Sequence, residues 1–185
     1  MREGKALRAA LLGATIEFLV LDGDSHLEIR AAHAIKIAAI IRRIRPAVIL
    51  APSLVENQHP DHWRLGKLVR DAARLARFGG VKELRKAAPH VIGQLFYYAV
   101  TADAEPRDIT PILIDVSTRK TLQSWIEAIE AHASQMQARA YLEMQLTRAR
   151  LRGLRAGVEY AIPLFPNDPL VFDSLAKTGR GERTF

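Results

Sequence analysis

Two hydrophobic rhythms alternate along the chain. In some stretches apolar residues recur every three or four positions, and in others they run together over a few consecutive residues. The first rhythm predicts helices and the second predicts buried strands. Residues 2–13 follow the helical rhythm and stop at Gly13, a residue suited to the left-handed turn after a helix. Ile16 to Leu21 is an apolar run closed by Asp22-Gly23-Asp24, which predicts a strand and a turn. The helical period returns over 27–44, with Ile35, Ile37, Ala38, Ile41 and Ile44, and Pro46 ends it. Ala47 to Leu50 predicts a second strand. Residues 60–77 predict a helix whose apolar face is Leu65, Leu68, Val69, Ala72, Ala73 and Leu75. Gly79-Gly80 breaks the chain. Gln94 to Val100 and Ile112 to Val116 predict two more strands, and 118–134 and 137–154 predict two more helices. A last apolar segment, Val158 to Phe165, precedes a polar, basic end.

Strands and helices alternate, and the strands are apolar throughout rather than at every second position. Both features predict an α/β fold with a mostly parallel sheet covered by helices. There is no internal repeat and no low-complexity linker, so one domain is expected over 1–175. Residues 176–185 are expected to form a basic, loosely ordered tail.

Composition narrows the picture only slightly. The 185 residues are 49% hydrophobic and 25% charged, ordinary for a globular protein. No apolar stretch reaches the length of about 18 residues that a membrane helix needs. The N-terminus is basic and amphipathic without a clear cleavage site and is not read as a signal peptide, which leaves the cytoplasm as the default location. The absence of cysteine excludes disulfides, thiolate zinc sites and cysteine nucleophiles. A formal charge of +7 permits contact with nucleic acid. The arginines, however, are spread over helix faces, at Arg42, Arg43 and Arg45 and at Arg148, Arg150, Arg152 and Arg155. No helix-turn-helix, aromatic-interleaved basic strand or phosphate loop accompanies them, so no nucleic-acid partner is expected.

The stretch Glu56 to Arg64, reading ENQHPDHWR, carries the candidate chemistry. It follows a predicted strand, and open α/β sheets bind ligands beyond the carboxyl ends of their strands. Pro60 suits a first helical turn. Spacing of three sets His59 and His62 on neighbouring faces of that turn. Neutral imidazole is a good zinc ligand, and Asp61 or Glu56 is placed to orient a ring by accepting its second N–H. The positive end of a helix also suits a reaction that develops an oxyanion. Structural histidines at a helix start fit the same pattern, and a catalytic zinc needs about three protein ligands.

Other candidates carry two readings each. Asp22-Gly23-Asp24-Ser25-His26 reads as a turn in which Asp24 or Ser25 caps the next helix. His33, His90 and His132 read as structural or solvent-exposed. Trp63 suits either a sugar pocket or helix-to-sheet packing. Glu159 and Tyr160 suit either a core strand or the rim of a site.

Around HPDH the chain resembles the LmbE/PIG-L family of zinc-dependent N-deacetylases, within it the branch that includes bacillithiol-biosynthesis deacetylases. The resemblance runs through RPAVILAPSLVENQHPDHWRLGKLVRDAARLA, LFYYAV, ILIDVSTRKTLQSWIEAIEAHASQ, RARLRGLRAGVEYAIPLFPNDPLVFDSL and ALRAALLGATIEFLVLDG, which is most of the chain. It implies a Rossmann-like three-layer αβα sandwich. It also implies that a zinc-bound water hydrolyses the N-acetyl group of a GlcNAc-type conjugate, such as GlcNAc-malate, and releases acetate. In that scheme His62 binds zinc (Zn2+), His59 stabilises the oxyanion or acts as acid, and Asp61 tunes His59. Asp22, Trp63 and Tyr160 line the sugar. The family's Ala-His-Pro-Asp-Asp motif, which supplies the remaining ligands and the base, has no counterpart here. The resemblance therefore implies that the leading strands of the sheet are missing. Such a chain is expected to expose a sheet edge, to self-associate, and to bind zinc weakly without turnover. A non-catalytic binding or regulatory module is the alternative.

Overall fold

A computed structural model describes residues 13–57, 59–131, 140–179 and 181. In chain order the regular elements are α1 (Ala31–Ile44), β1 (Val48–Pro52), α2 (Pro60–Arg77), β2 (Gln94–Tyr98), β3 (Ile112–Asp115), α3 (Arg119–Glu130), α4 (Tyr141–Ala156) and β4 (Ala161–Pro166). Short 3-10 turns occupy Lys82–Leu84, Ala102–Ala104 and Leu175–Lys177. The residues divide into two compact units. The larger comprises Val20–Ile112 and Leu164–Asp173. The smaller is built around Leu113–Pro163, with the described parts of Met1–Leu19 and Ser174–Phe185.

In the larger unit β1 and β2 pair in parallel, from Val48 against Gln94 to Pro52 against Tyr98. β2 then pairs with the end of β4 in antiparallel fashion, Phe96 against Pro166 and Tyr97 against Phe165. The fold is α/β as expected, but the sheet is mixed rather than mostly parallel. A strand buried on both faces shows an apolar run whichever way it points, so the run could not reveal the direction of β4.

α2 packs on β1, and α1 packs on α2. The α1–α2 interface is built from small and branched residues: Ala34, Ile37, Ala38 and Ile41 meet Leu68, Ala72 and Ala76. Alanines at these positions let the two helix backbones come close. Ala51, Leu95, Tyr97 and Phe165 form a second cluster on the sheet, and Ile49, Val69 and Ile92 pack against both clusters. The other face of β1 keeps Val48 and Leu50 about half exposed, at 50% and 55%.

Arg42 is the least expected residue of this core. It lies on α1, is only 3% exposed, and among the described residues donates only to main-chain oxygens. Nε reaches the Ala76 carbonyl at 2.9 Å, Nη1 the Leu84 and Ala87 carbonyls at 2.7 and 2.9 Å, and Nη2 those of Phe78 and Leu75 at 2.6 and 3.5 Å. These oxygens include the last carbonyls of α2, where the helix dipole is negative. The buried charge is therefore met by partial charges rather than by a carboxylate.

In the smaller unit Thr118 caps α3 by accepting from the Thr121 amide. Ser117 Oγ accepts from the Glu159 and Tyr160 amides at 3.1 and 2.9 Å. A Cβ on Gly153 of α4 would collide with the Glu159 carbonyl and the Tyr160 amide, so a glycine is required for the helix to lie against that segment.

Several expectations change. Ile16 to Leu21 is not a strand: it has no strand assignment, and Val20 is 71% exposed. An apolar run becomes a strand only where a sheet edge takes up its amides, and the run alone does not say whether one is present. The helix predicted over 27–44 begins at Ala31 and has no side-chain cap, so neither Asp24 nor Ser25 caps it. The helix predicted over 2–13 lies outside the described residues apart from Gly13, as do His132 and, within the tail, 180 and 182–185.

Candidate active site

The predicted helix over 60–77 forms with those bounds. Pro60 takes its first position, and His59 is its N-cap in extended conformation. Gly66 lets the helix press on the sheet. A Cβ there would collide with the Pro52 carbonyl oxygen at the carboxyl end of β1. The HPDH turn is thus held at the strand end where α/β folds place ligands.

Asp61 joins this turn to the loop before α1. Its carboxylate accepts the Ser25 amide at 2.8 Å and the Leu27 amide at 3.2 Å. Arg64 lies 4.0 Å from the same carboxylate and donates to the Leu27 carbonyl at 3.2 Å. Ser25 has a positive φ of 64°, a conformation that an L-residue keeps only when its surroundings hold it. The link from Asp61 to His59 runs through the Asp61 amide, which donates to His59 Nδ1 at 3.4 Å, and not through the carboxylate.

That bond sets the tautomer of His59. A ring nitrogen that accepts an N–H carries no proton, so the proton of the neutral ring sits on Nε2. Nε2 points to Asp24 Oδ1 at 3.4 Å. The Asp24 side chain is 94% exposed and that of His59 is 40% exposed, so this N–H faces solvent. His59 therefore offers an outward donor at the positive end of α2.

The His62 ring stacks against His59 with centroids 5.1 Å apart. Burial, and secondarily the nearby His59 charge, lower the His62 pKa, with Asp61 opposing. Its Nδ1 is buried and has no hydrogen-bond partner among the described residues. A neutral imidazole with an unmet nitrogen fits a metal ion as one ligand. Among the described residues His62 belongs to no cluster of metal-ligand type. Such a cluster does form from Asp24, His59 and Asp61, whose ligand atoms lie within 4.8 Å of one another. As arranged, His59 Nε2 is a donor there, and to coordinate through Nε2 the ring must shift its proton to Nδ1 and give up the cap.

The remaining candidates are placed as follows. Asp22 accepts the Glu28 amide at 2.9 Å and His33 Nε2 at 2.8 Å, and lies 3.5 Å from Arg30. The Glu28 amide is the main cause that keeps its carboxyl below the usual range, with His33 and Arg30 adding to it. It shapes the loop of residues 22–30. His33 is buried, and His90 Nε2 lies 2.8 Å from the Pro46 carbonyl, so both are structural as expected. Trp63 has a buried Nε1 without a partner, and Lys67 Nζ lies over its ring at 4.8 Å. Tyr160 belongs to the smaller unit, where its carbonyl accepts from the Val116 amide at 3.0 Å and Arg150 lies over its ring at 5.7 Å. The sequence reading missed the grip of Asp61 on Ser25 and Leu27 and the N-cap role of His59. The signal for the second was present, since a polar residue directly before a proline at the first helical position is an N-cap pattern.

Known structures share this fold. The conserved protein TT1542 of Thermus thermophilus superposes with a TM-score of 0.80 at 24% identity, over 97% of this chain and 77% of that one. GalB, the 4-carboxy-2-hydroxymuconate hydratase of Pseudomonas putida, gives 0.74 at 23% identity, over 94% and 73%. The N,N'-diacetylchitobiose deacetylase of Pyrococcus horikoshii gives 0.70 at 18% identity, over 89% and 62%. The chain therefore shares its α/β fold with these proteins, a deacetylase and a hydratase among them. No family model matches the sequence. No helix among the described residues is long and apolar enough to cross a membrane.

Proposed function

We propose that this protein is a member of the LmbE/PIG-L family and acts in the hydrolysis of an N-acetyl group on an amino sugar, releasing acetate and a free amine. The observation that carries this reading is the hydrogen bond from the Asp61 amide to His59 Nδ1. The Asp61 amide occupies Nδ1, so Nε2–H is a donor at the positive end of α2, the arrangement that an oxyanion requires. His59 donates to the acetyl oxygen as it gains charge. Asp61 positions His59 through its amide and holds the 24–27 loop through its carboxylate. His62, neutral and with an unmet nitrogen, is one ligand for zinc. Zinc, when bound, supplies a Lewis acid and a water of lowered pKa. Trp63 stands next to these groups in sequence and is assigned to the sugar; the same role for Tyr160 is only what the sequence resemblance implies. Asp22 contributes by holding the loop. The finer reading, a GlcNAc-malate-type conjugate as substrate and the bacillithiol branch as origin, rests on the sequence resemblance, as does self-association; a cytoplasmic location is the default for a chain in which no signal peptide is read.

A second reading is a binding module without turnover. It is favoured by the absence, among the described residues, of further ligand atoms clustered with His62. One assay separates the two. Acetate release from GlcNAc-malate and from N,N'-diacetylchitobiose is measured with added zinc, and bound metal is quantified in parallel. Hydrolysis that disappears in His62→Ala, and drops about 100-fold or more in kcat for His59→Gln, supports the enzyme. Sugar binding by calorimetry without acetate release supports the module and overturns the first reading.

A further inference from the structure

The C-terminal half of α2 lines a cavity that the proposed reaction does not use. Its volume is about 330 Å3, and Arg70, Arg74 and Arg77 stand along one wall. Their spacing, i, i+4 and i+7, sets all three on one face of the helix. Val91, Ile92 and Leu95 add apolar lining, and Asn167 and Asp168 add polar lining. All of these residues belong to the larger unit.

Three observations distinguish this cavity from an ordinary solvated helix face. Among the described residues the buried Arg70 Nε has no hydrogen-bond partner, and an unmet buried donor needs an explanation. The carboxylates nearby leave most of the positive charge unanswered. Asp71 pairs with Arg74 at 3.6 Å, and Asp168 accepts from Asn167 Nδ2 at 2.7 Å. Among the described residues no carboxylate pairs with Arg70 or Arg77. The polar side of the cavity is also fixed from behind. The fully buried Tyr97 donates its hydroxyl to Asn167 Oδ1 at 2.7 Å, which turns the Asn167 amide group toward Asp168. Burial pushes the Tyr97 phenol up to about 12, while the Arg70 and Arg74 charges pull the other way, so their field reaches this wall.

We propose that this cavity binds a small phosphate monoester, its phosphate on the Arg70, Arg74 and Arg77 guanidiniums and its carbon body on Val91, Ile92 and Leu95. Planar guanidinium groups match phosphate oxygens in pairs of parallel hydrogen bonds, which lysines do not. Asp168 accepts from a hydroxyl of the ligand. The volume suits a small metabolite. Arg74 lies twelve residues beyond His62 on α2, roughly 18 Å along the helix axis. The cavity is thus separate from the HPDH turn and connected to it by one rigid element.

The test uses the full chain with glycerol 3-phosphate as probe. Binding is read from 31P line broadening and from the shift in melting temperature, with glycerol and succinate as comparison ligands. The expected result is broadening and stabilisation by glycerol 3-phosphate, and none by glycerol. Binding weakens at least about tenfold in Arg70→Gln/Arg74→Gln and stays unchanged in Arg107→Gln. If the double variant does not fold, the exposed Arg77→Gln is read instead, with weakening expected there too. Absence of binding, equal binding by the arginine variants and wild type, or equal stabilisation by succinate would each overturn the proposal.

Discussion

The two ends of α2 are held in opposite ways. At the C-terminal end the Arg42 guanidinium donates to five carbonyl oxygens, buried and with nothing left over. At the N-terminal end His59, Asp61 and His62 have fewer and more exposed partners, and polar atoms remain to spare. His62 Nδ1 has no partner among the described residues, and His59 Nε2–H faces the exposed Asp24. One helix therefore has an anchored end and an available end. A closed polar network stabilises, whereas an incomplete one at a surface is where a ligand finds unmet valence.

The sharpest way to break this contrast is to remove the anchor. Arg42→Ala leaves several buried carbonyls without donors and is expected to cost at least about 3 kcal/mol, read as a lower urea midpoint. Next comes the seat of the available end. Gly66→Ala pushes a methyl group into the Pro52 carbonyl and is expected to cost about 2 kcal/mol. Gly79→Ala meets only Pro89 Cγ at 3.7 Å, and should be neutral or slightly stabilising in the same denaturation experiment. A smaller loss, about 1 kcal/mol, is expected for Asp61→Asn, together with shifts of the Ser25 and Leu27 amide resonances. The Arg42 variant should leave those two resonances in place wherever it remains folded.

The smallest effect is one of pH. The folded state lowers the His62 pKa below its ordinary value near 6.5. In the window just below 6.5 the unfolded chain therefore binds more protons than the folded one, and stability from this group falls as pH falls. The denaturation midpoint of wild type should drop between about pH 7 and pH 5. The drop should be shallower in His62→Gln. An equal drop in both would assign it to other groups.

Much of this was legible in the sequence, and what was not has a common cause. The bounds of α2 could be read because Pro60, the period of Leu65, Leu68, Val69 and Ala72, and the Gly79-Gly80 break all act locally. The HPDH turn could be read as a helix start for the same reason. The role of Arg42 could not: an arginine in the run IRRIR looks solvated, and only the approach of α2 and the Lys82–Leu84 turn surrounds it with carbonyls. Ile16 to Leu21 failed in the opposite direction, because its pattern describes what the run suits and not whether a partner strand adjoins it. Asp24 and Ser25 suit a cap, yet the next helix starts at Ala31, beyond their reach.

By itself, then, the sequence determined the α/β class, most of the helices and strands, and the pair of histidines at the start of α2. These follow from period, proline and glycine, whose effects span only a few residues. The tertiary structure alone decided the direction of β4, the burial of Arg42, the grip of Asp61 on the Ser25 and Leu27 amides, and the gathering of Arg70, Arg74 and Arg77 around a cavity with Asn167 and Asp168. Each of these depends on groups far apart in the chain, and their meeting is set by packing, which no local pattern records.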